Sequence, residues 1–176
     1  LEVDLHHTIT PITSRVRAND ALLFSSLQRV PDSRYFTLHP FDQIIHAAIH
    51  LFQDSELSGH LRDLVDLDGM IRRAINGEND WSNLQQRADE HGAGRYLWYA
   101  LRYCSNWLDT PLPKKVTQTP PSTFVQCLMD VLLTRGTLPG LPDTPPSLSD
   151  RLVKHAGAIR YHWLRMPPKL LALKVQ

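Results

Sequence analysis

The chain has 176 residues, enough to bury one real core, and its 42% apolar and 21% charged content is that of an ordinary globular protein. Nineteen Lys and Arg against eighteen Asp and Glu leave a net charge of +1, so no global basic field calls for nucleic acid. No run approaches the roughly 18 apolar residues of a membrane span, and the only two cysteines, Cys104 and Cys127, lack metal-type spacing.

Leu1-Glu2-Val3-Asp4-Leu5-His6 alternates strictly between apolar and polar residues. As a strand it would turn Leu1, Val3 and Leu5 inward and place Glu2, Asp4 and His6 on the other face. No earlier segment of this chain can pair with it. It is therefore expected to be the edge strand of a sheet whose other strands are cut away, with the Asp4 carboxylate free. An unpaired edge also invites a strand-mediated homodimer.

Thr8 to Arg17 reads as irregular, broken at Thr10-Pro11. Asn19-Asp20 can cap a short helix, Ala21 to Gln28, ahead of turn chemistry at Pro31-Asp32-Ser33. Pro40 opens a clear helix whose residues Phe41, Ile44, Ile45, Ala48 and Phe52 form one stripe. A second helix, about Glu56 to Ile75, carries the stripe Leu57, Leu61, Leu64, Ile71 and Ile75 and stops at Asn76-Gly77. Asp80 caps a third, Trp81 to about Glu90, and Gly92 and Gly94 separate it from an aromatic-rich fourth, Arg95 to Leu108. Ser122 caps a fifth, Thr123 to about Arg135. A proline-rich stretch leads to a last helical segment, Leu148 to Arg165.

The fold class that follows is mainly α, a helical bundle preceded by one edge strand. Residues 1–18 make a terminal strand and linker, 19–136 a helical domain, and 137–176 a Pro-rich linker with a C-terminal helical segment. Both cysteines fall in apolar helical patterns, which predicts buried free thiols and a cytoplasmic protein.

Few residues suggest chemistry on their own. A carboxylate on a strand, such as Asp4, suits a Mg²⁺ that bridges substrate phosphates; alternation alone fits a solvated strand face better. His46 and His50, spaced i, i+4, lie opposite the apolar stripe of their helix, so they are surface residues or face a second surface. The Glu of the zinc-protease helix is absent, since Ala47 follows His46. Asp68 falls on an apolar stripe and is expected to pair with Arg72. Asp66 points away from that stripe and can meet His50 across an antiparallel helix pair, as a polar link between the two helices. A metal-dependent phosphohydrolase built on His46, His50, His60 and Asp63 is a weaker reading, because the adjacent His-Asp dyad is missing. Trp81, Trp98, Trp107 and Trp163, with Tyr96, Tyr99 and Tyr103, have helical spacing and read as core rather than as a base-stacking surface. Lys114-Lys115 reads as a solvated loop, leaving no clear nucleic-acid patch.

The order of several elements resembles the bacterial uncharacterised nucleotidyltransferase-like proteins of the polymerase-beta-type superfamily. The elements are Val3-Asp4-Leu5-His6, the helix ending Ala47-Ala48-Ile49-His50, and Leu61-Arg62-Asp63-Leu64-Val65-Asp66-Leu67. They continue as Asp80-Trp81-Ser82-Asn83-Leu84-Gln85-Gln86-Arg87-Ala88, then Gly94-Arg95-Tyr96-Leu97-Trp98-Tyr99-Ala100-Leu101, and close on Tyr161 to Pro167. The resemblance implies transfer of a nucleotide from an NTP to an unknown acceptor with Mg²⁺. Asp4 is then the third catalytic carboxylate and a metal ligand, and His6 and His50 are substrate-binding residues. The Gly-Ser turn and Asp-x-Asp pair that come before this carboxylate in the superfamily have no counterpart here, and His7 replaces the usual Trp. The resemblance thus implies the C-terminal portion of an enzyme whose N-terminal catalytic domain is missing, inactive alone. A non-catalytic helical binding module is the competing reading.

Overall fold

The computed structural model describes residues 8–10, 14–53, 60–113, 120–137 and 145–165. Within them the chain forms seven helices and one two-stranded sheet, the mainly α architecture that the periodicity predicts. The expected strand at Leu1–His6 lies outside the described residues.

The elements run α1 (Asp20–Ser25), β1 (Gln28–Arg29), β2 (Phe36–Thr37), α2 (Pro40–Gln53), α3 (His60–Ala74), α4 (Glu78–Glu90), α5 (Gly94–Leu108), α6 (Thr123–Gly136) and α7 (Leu148–Arg165). The Asn19 side chain caps α1 by accepting from the Leu22 amide at 3.1 Å. β1 and β2 pair antiparallel, Gln28 opposite Thr37 and Arg29 opposite Phe36. The turn between them holds Asp32 at φ 54°. Such short strands carry no readable alternation, which is why only their turn was legible.

The core is built around α2, which packs against α3, α4, α5 and α7. Its predicted stripe is buried, and so are Ile49 and Leu51 on its flanks, so α2 is enclosed on most sides. Phe52 meets Tyr99 and Tyr103 of α5 at ring-centroid distances of 5.5 and 5.9 Å, and Tyr103 meets Trp107 at 5.4 Å. Aromatic pairs of this kind add about 0.5–1.5 kcal/mol each beyond their area burial. The tyrosines of α5 are core, as their spacing predicts.

Five expectations need correction. The first helix ends at Ser25 rather than Gln28, which belongs to β1. The buried face of α3 is His60, Leu64, Leu67 and Ile71, whereas Leu61 is exposed and Ile75 only half-buried. Leu61 and Val65 are apolar residues on the solvent side, and they misphase any stripe drawn through leucines alone. Asp80 is not the cap residue of α4 but stands inside its first turn, where its carboxylate accepts from the Asn76 amide at 2.8 Å. Cys127 is exposed on α6 while Cys104 is buried. Trp163 is exposed, with the Arg15 guanidinium 4.2 Å above its ring.

The junction of α4 and α5 shows why Gly92 stands where it does. Gly92 has φ +63°, its amide donates to Asp89 O at 2.9 Å, and the Ala93 amide donates to Ala88 O at 2.7 Å. Those two bonds satisfy the last carbonyls of α4 in a Schellman motif, which needs a left-handed residue. Gly69 is different. It lies mid-helix in α3 and a Cβ there meets nothing within 4 Å. Gly69→Ala should raise stability by about 1 kcal/mol, the helix-propensity difference, read as a higher urea midpoint at unchanged slope.

Candidate functional site

A buried ionic cluster joins α1, α2 and α4. Asp42, in the first turn of α2, is 0% exposed. Arg87 of α4 grips it with both arms, Nε to Oδ1 at 2.6 Å and Nη2 to Oδ2 at 2.7 Å. His91, also fully buried, places Nε2 3.1 Å from Oδ1. The Asn19 amide donates to His91 Nδ1 at 3.1 Å, so Nδ1 is the acceptor and the ring proton sits on Nε2, donated to Asp42. The Ser26 hydroxyl lies 3.3 Å from Oδ2 and accepts from Arg87 Nη2.

Burial by itself raises the Asp42 carboxyl. The hydrogen bonds from Arg87 and His91 and the Arg87 charge outweigh it and bring the pKa down to about 2. A carboxylate that acidic, whose partners are all internal, is no general base. Both nitrogens of His91 are likewise committed, one to Asp42 and one to the chain itself. The cluster resembles an acid–imidazole pair in composition, yet it offers substrate nothing. It is an anchor.

Sequence reasoning passed over Asp42. The usable signal was a carboxylate set among the apolar residues Phe41, Ile44 and Ile45 at the start of α2, which demands a partner, and an arginine, Arg87, on the buried side of a helix containing Trp81, Leu84 and Ala88.

A second polar group closes the far end of α5. Arg72 Nε donates to both oxygens of Asp68 at 2.9 Å, the predicted i, i+4 pair, and Nη2 donates to Leu108 O at 2.9 Å. Thr110 Oγ1 donates to Asp68 Oδ1 at 2.5 Å. The guanidinium thereby satisfies an end carbonyl of α5, where a cation is also favoured by the helix dipole.

Of the residues singled out for chemistry, Glu2, Asp4, His6 and the Lys114-Lys115 pair lie outside the described residues. His50 is exposed and His46 half-buried, their rings 6.4 Å apart at 80°. Asp66 is exposed too, and α2 and α3 pack together as the short connection predicts. Among the described residues no direct hydrogen bond joins His50 to Asp66. His60 is buried and Asp63 exposed. No three His, Cys, Asp or Glu side chains among the described residues gather around a metal position. The phosphohydrolase reading needs such a gathering and finds none there.

The profile of the uncharacterised nucleotidyltransferase family matches residues 1–109, well over half of the chain. The chain belongs to that family. No curated protein and no solved structure matches it. The matched part of this family member begins at the Asp4 element and ends at Asp109, the left-handed residue (φ 52°) that terminates α5. The Asp42–Arg87–His91 anchor lies wholly inside the match; α6 and α7 lie beyond it. The magnesium that nucleotidyl transfer implies finds no donor set among the described residues. No helix among them is long and apolar enough to cross a membrane.

Proposed function

We propose that this chain is the helical portion of a nucleotidyltransferase that moves a nucleotide from an NTP to an acceptor hydroxyl, with Asp4 as its one carboxylate at the Mg²⁺ site. The family match, which takes in the Val3-Asp4-Leu5-His6 element as well as α1 to α5, carries this reading. In this reading His6, two residues on from Asp4 in the sequence, and His50 contact substrate. His50 and Asp66, exposed on packed neighbouring helices, are linked through water and shape the surface that meets the catalytic sheet. The exposed apolar residues Leu61 and Val65 beside Asp66 on α3 favour such a covered surface.

Two-metal transfer needs several carboxylates converging on phosphate oxygens, and this chain brings one. The 176-residue chain should bind Mg²⁺-nucleotide weakly and transfer nothing. Incubation with each α-labelled NTP and Mg²⁺ tests this, and robust turnover would mean that the chemistry belongs to other residues.

The competing reading, a non-catalytic interaction module, has its own support in α7, where Leu148, Leu152 and Ile159 are exposed in one row. Nucleotide transfer by the natural gene product separates the two.

A further inference from the structure

Where α3 ends, Ile75 to Gly77 turn the chain into α4, and the segment Thr110 to Pro113 leaving α5 crosses the same corner. A cavity of about 560 Å³ lies between them. Its apolar wall is Ile71, Ile75 and Trp81, faced by Leu112 and Pro113. Trp81 is only 9% exposed and so forms a fixed wall rather than a mobile flap. The size falls in the range of about 300–1,000 Å³ typical of small-molecule pockets. That leaves ample room for a small aromatic ligand.

The polar groups narrow the chemistry. Arg72 is neutralised by Asp68, with Nε and Nη2 committed, and Asp68 is itself held by Arg72 and Thr110. The pair selects neither a full anion nor a cation. Asn76 gives its backbone amide to Asp80, while its exposed carboxamide has no hydrogen-bond partner among the described residues. That carboxamide offers donors and an acceptor together. Gly77 has φ −166°, which any residue adopts, and a Cβ there meets nothing within 4 Å. The mouth is open because a side chain is missing, not because the backbone requires glycine.

We propose that this cavity binds an uncharged aromatic carboxamide or lactam, its ring against Trp81, Ile75 and Leu112 and its amide edge paired with the Asn76 side chain. The proposed contacts include no metal; Ile71 to Trp81 lie inside the family match and the wall formed by Thr110 to Pro113 beyond it.

Saturation-transfer NMR on the 176-residue chain with benzamide, benzoate, benzylammonium and cyclohexanecarboxamide tests the proposal. Benzamide should saturate most strongly of the four. Gly77→Trp, whose Cβ would meet nothing within 4 Å and whose ring is large enough to fill the mouth, should abolish its signal, and Asn76→Ala should weaken its binding roughly three- to tenfold. Circular dichroism checks that both variants fold. Absence of benzamide binding, preference for either charged probe or the aliphatic amide, or binding unchanged in Asn76→Ala or Gly77→Trp would each overturn it.

Discussion

Asp42→Ala is expected to cost about 3–5 kcal/mol of stability, the penalty for breaking a buried ion pair by removing one partner. The substitution leaves the Arg87 guanidinium with only the Ser26 hydroxyl as acceptor and the His91 Nε2–H with none, at a position that is 0% exposed. Domains of this size commonly have about 5–15 kcal/mol in total, so the variant should sit near its unfolding threshold at room temperature. Asp42→Leu combined with Arg87→Met should cost much less than Asp42→Ala, because the apolar pair removes both charges together. Urea unfolding of the wild type, the single and the double variant measures both. A loss below about 1 kcal/mol in Asp42→Ala would show that the cluster anchors nothing.

The same carboxylate sets an acid limit. Its folded pKa of about 2 lies below the unfolded value of 3.8, so the stabilisation is complete above about pH 4 and is lost as pH falls through about 2. The shift corresponds to about 2–3 kcal/mol. The stability of wild type and Asp42→Asn should converge across this window, and a constant gap from pH 6 to pH 2 would contradict the assignment.

Asp4→Ala, made in the natural gene product, is expected to lower nucleotidyl transfer by on the order of 10³-fold. A metal-holding carboxylate supports several kcal/mol of transition-state stabilisation, and each ~1.4 kcal/mol is tenfold in rate. The helical portion should remain folded in that variant, since its anchor is Asp42 rather than Asp4. Full activity in Asp4→Ala would remove the role proposed for that carboxylate. A parallel loss in His6→Ala or His50→Ala, seen in KM more than in kcat, would fit their proposed contact with substrate.

The helices were readable because their signals are local. Pro40 starts α2 and the bounds of α7, Leu148 to Arg165, coincide with the predicted segment. Faces were harder. On α6 Phe124 and Val131 are exposed while Met129, Leu132 and Leu133 are buried, a division that follows from which helix arrives as neighbour. The anchor was the least legible feature, because Asp42 and Arg87 are 45 residues apart and long-range charge pairing leaves no period in a sequence. What the sequence suggested about chemistry came instead from the order of the family's elements, and the carboxylate proposed for the metal, Asp4, falls outside the described residues.

The contrast between the two thiols has an experimental use. Burial pushes the Cys104 thiol up to about 12, and its Sγ lies 3.8 Å from Leu64 O, whereas Cys127 stands in solvent on α6. A thiol-reactive dye should therefore couple quickly to a single position in the native protein. The second equivalent reacts only when α3 and α5 part, since thiolate, not thiol, is the attacking species and solvent must reach it. The slow phase of labelling is thus a clock for core opening, read in one sample against the fast phase as its internal standard.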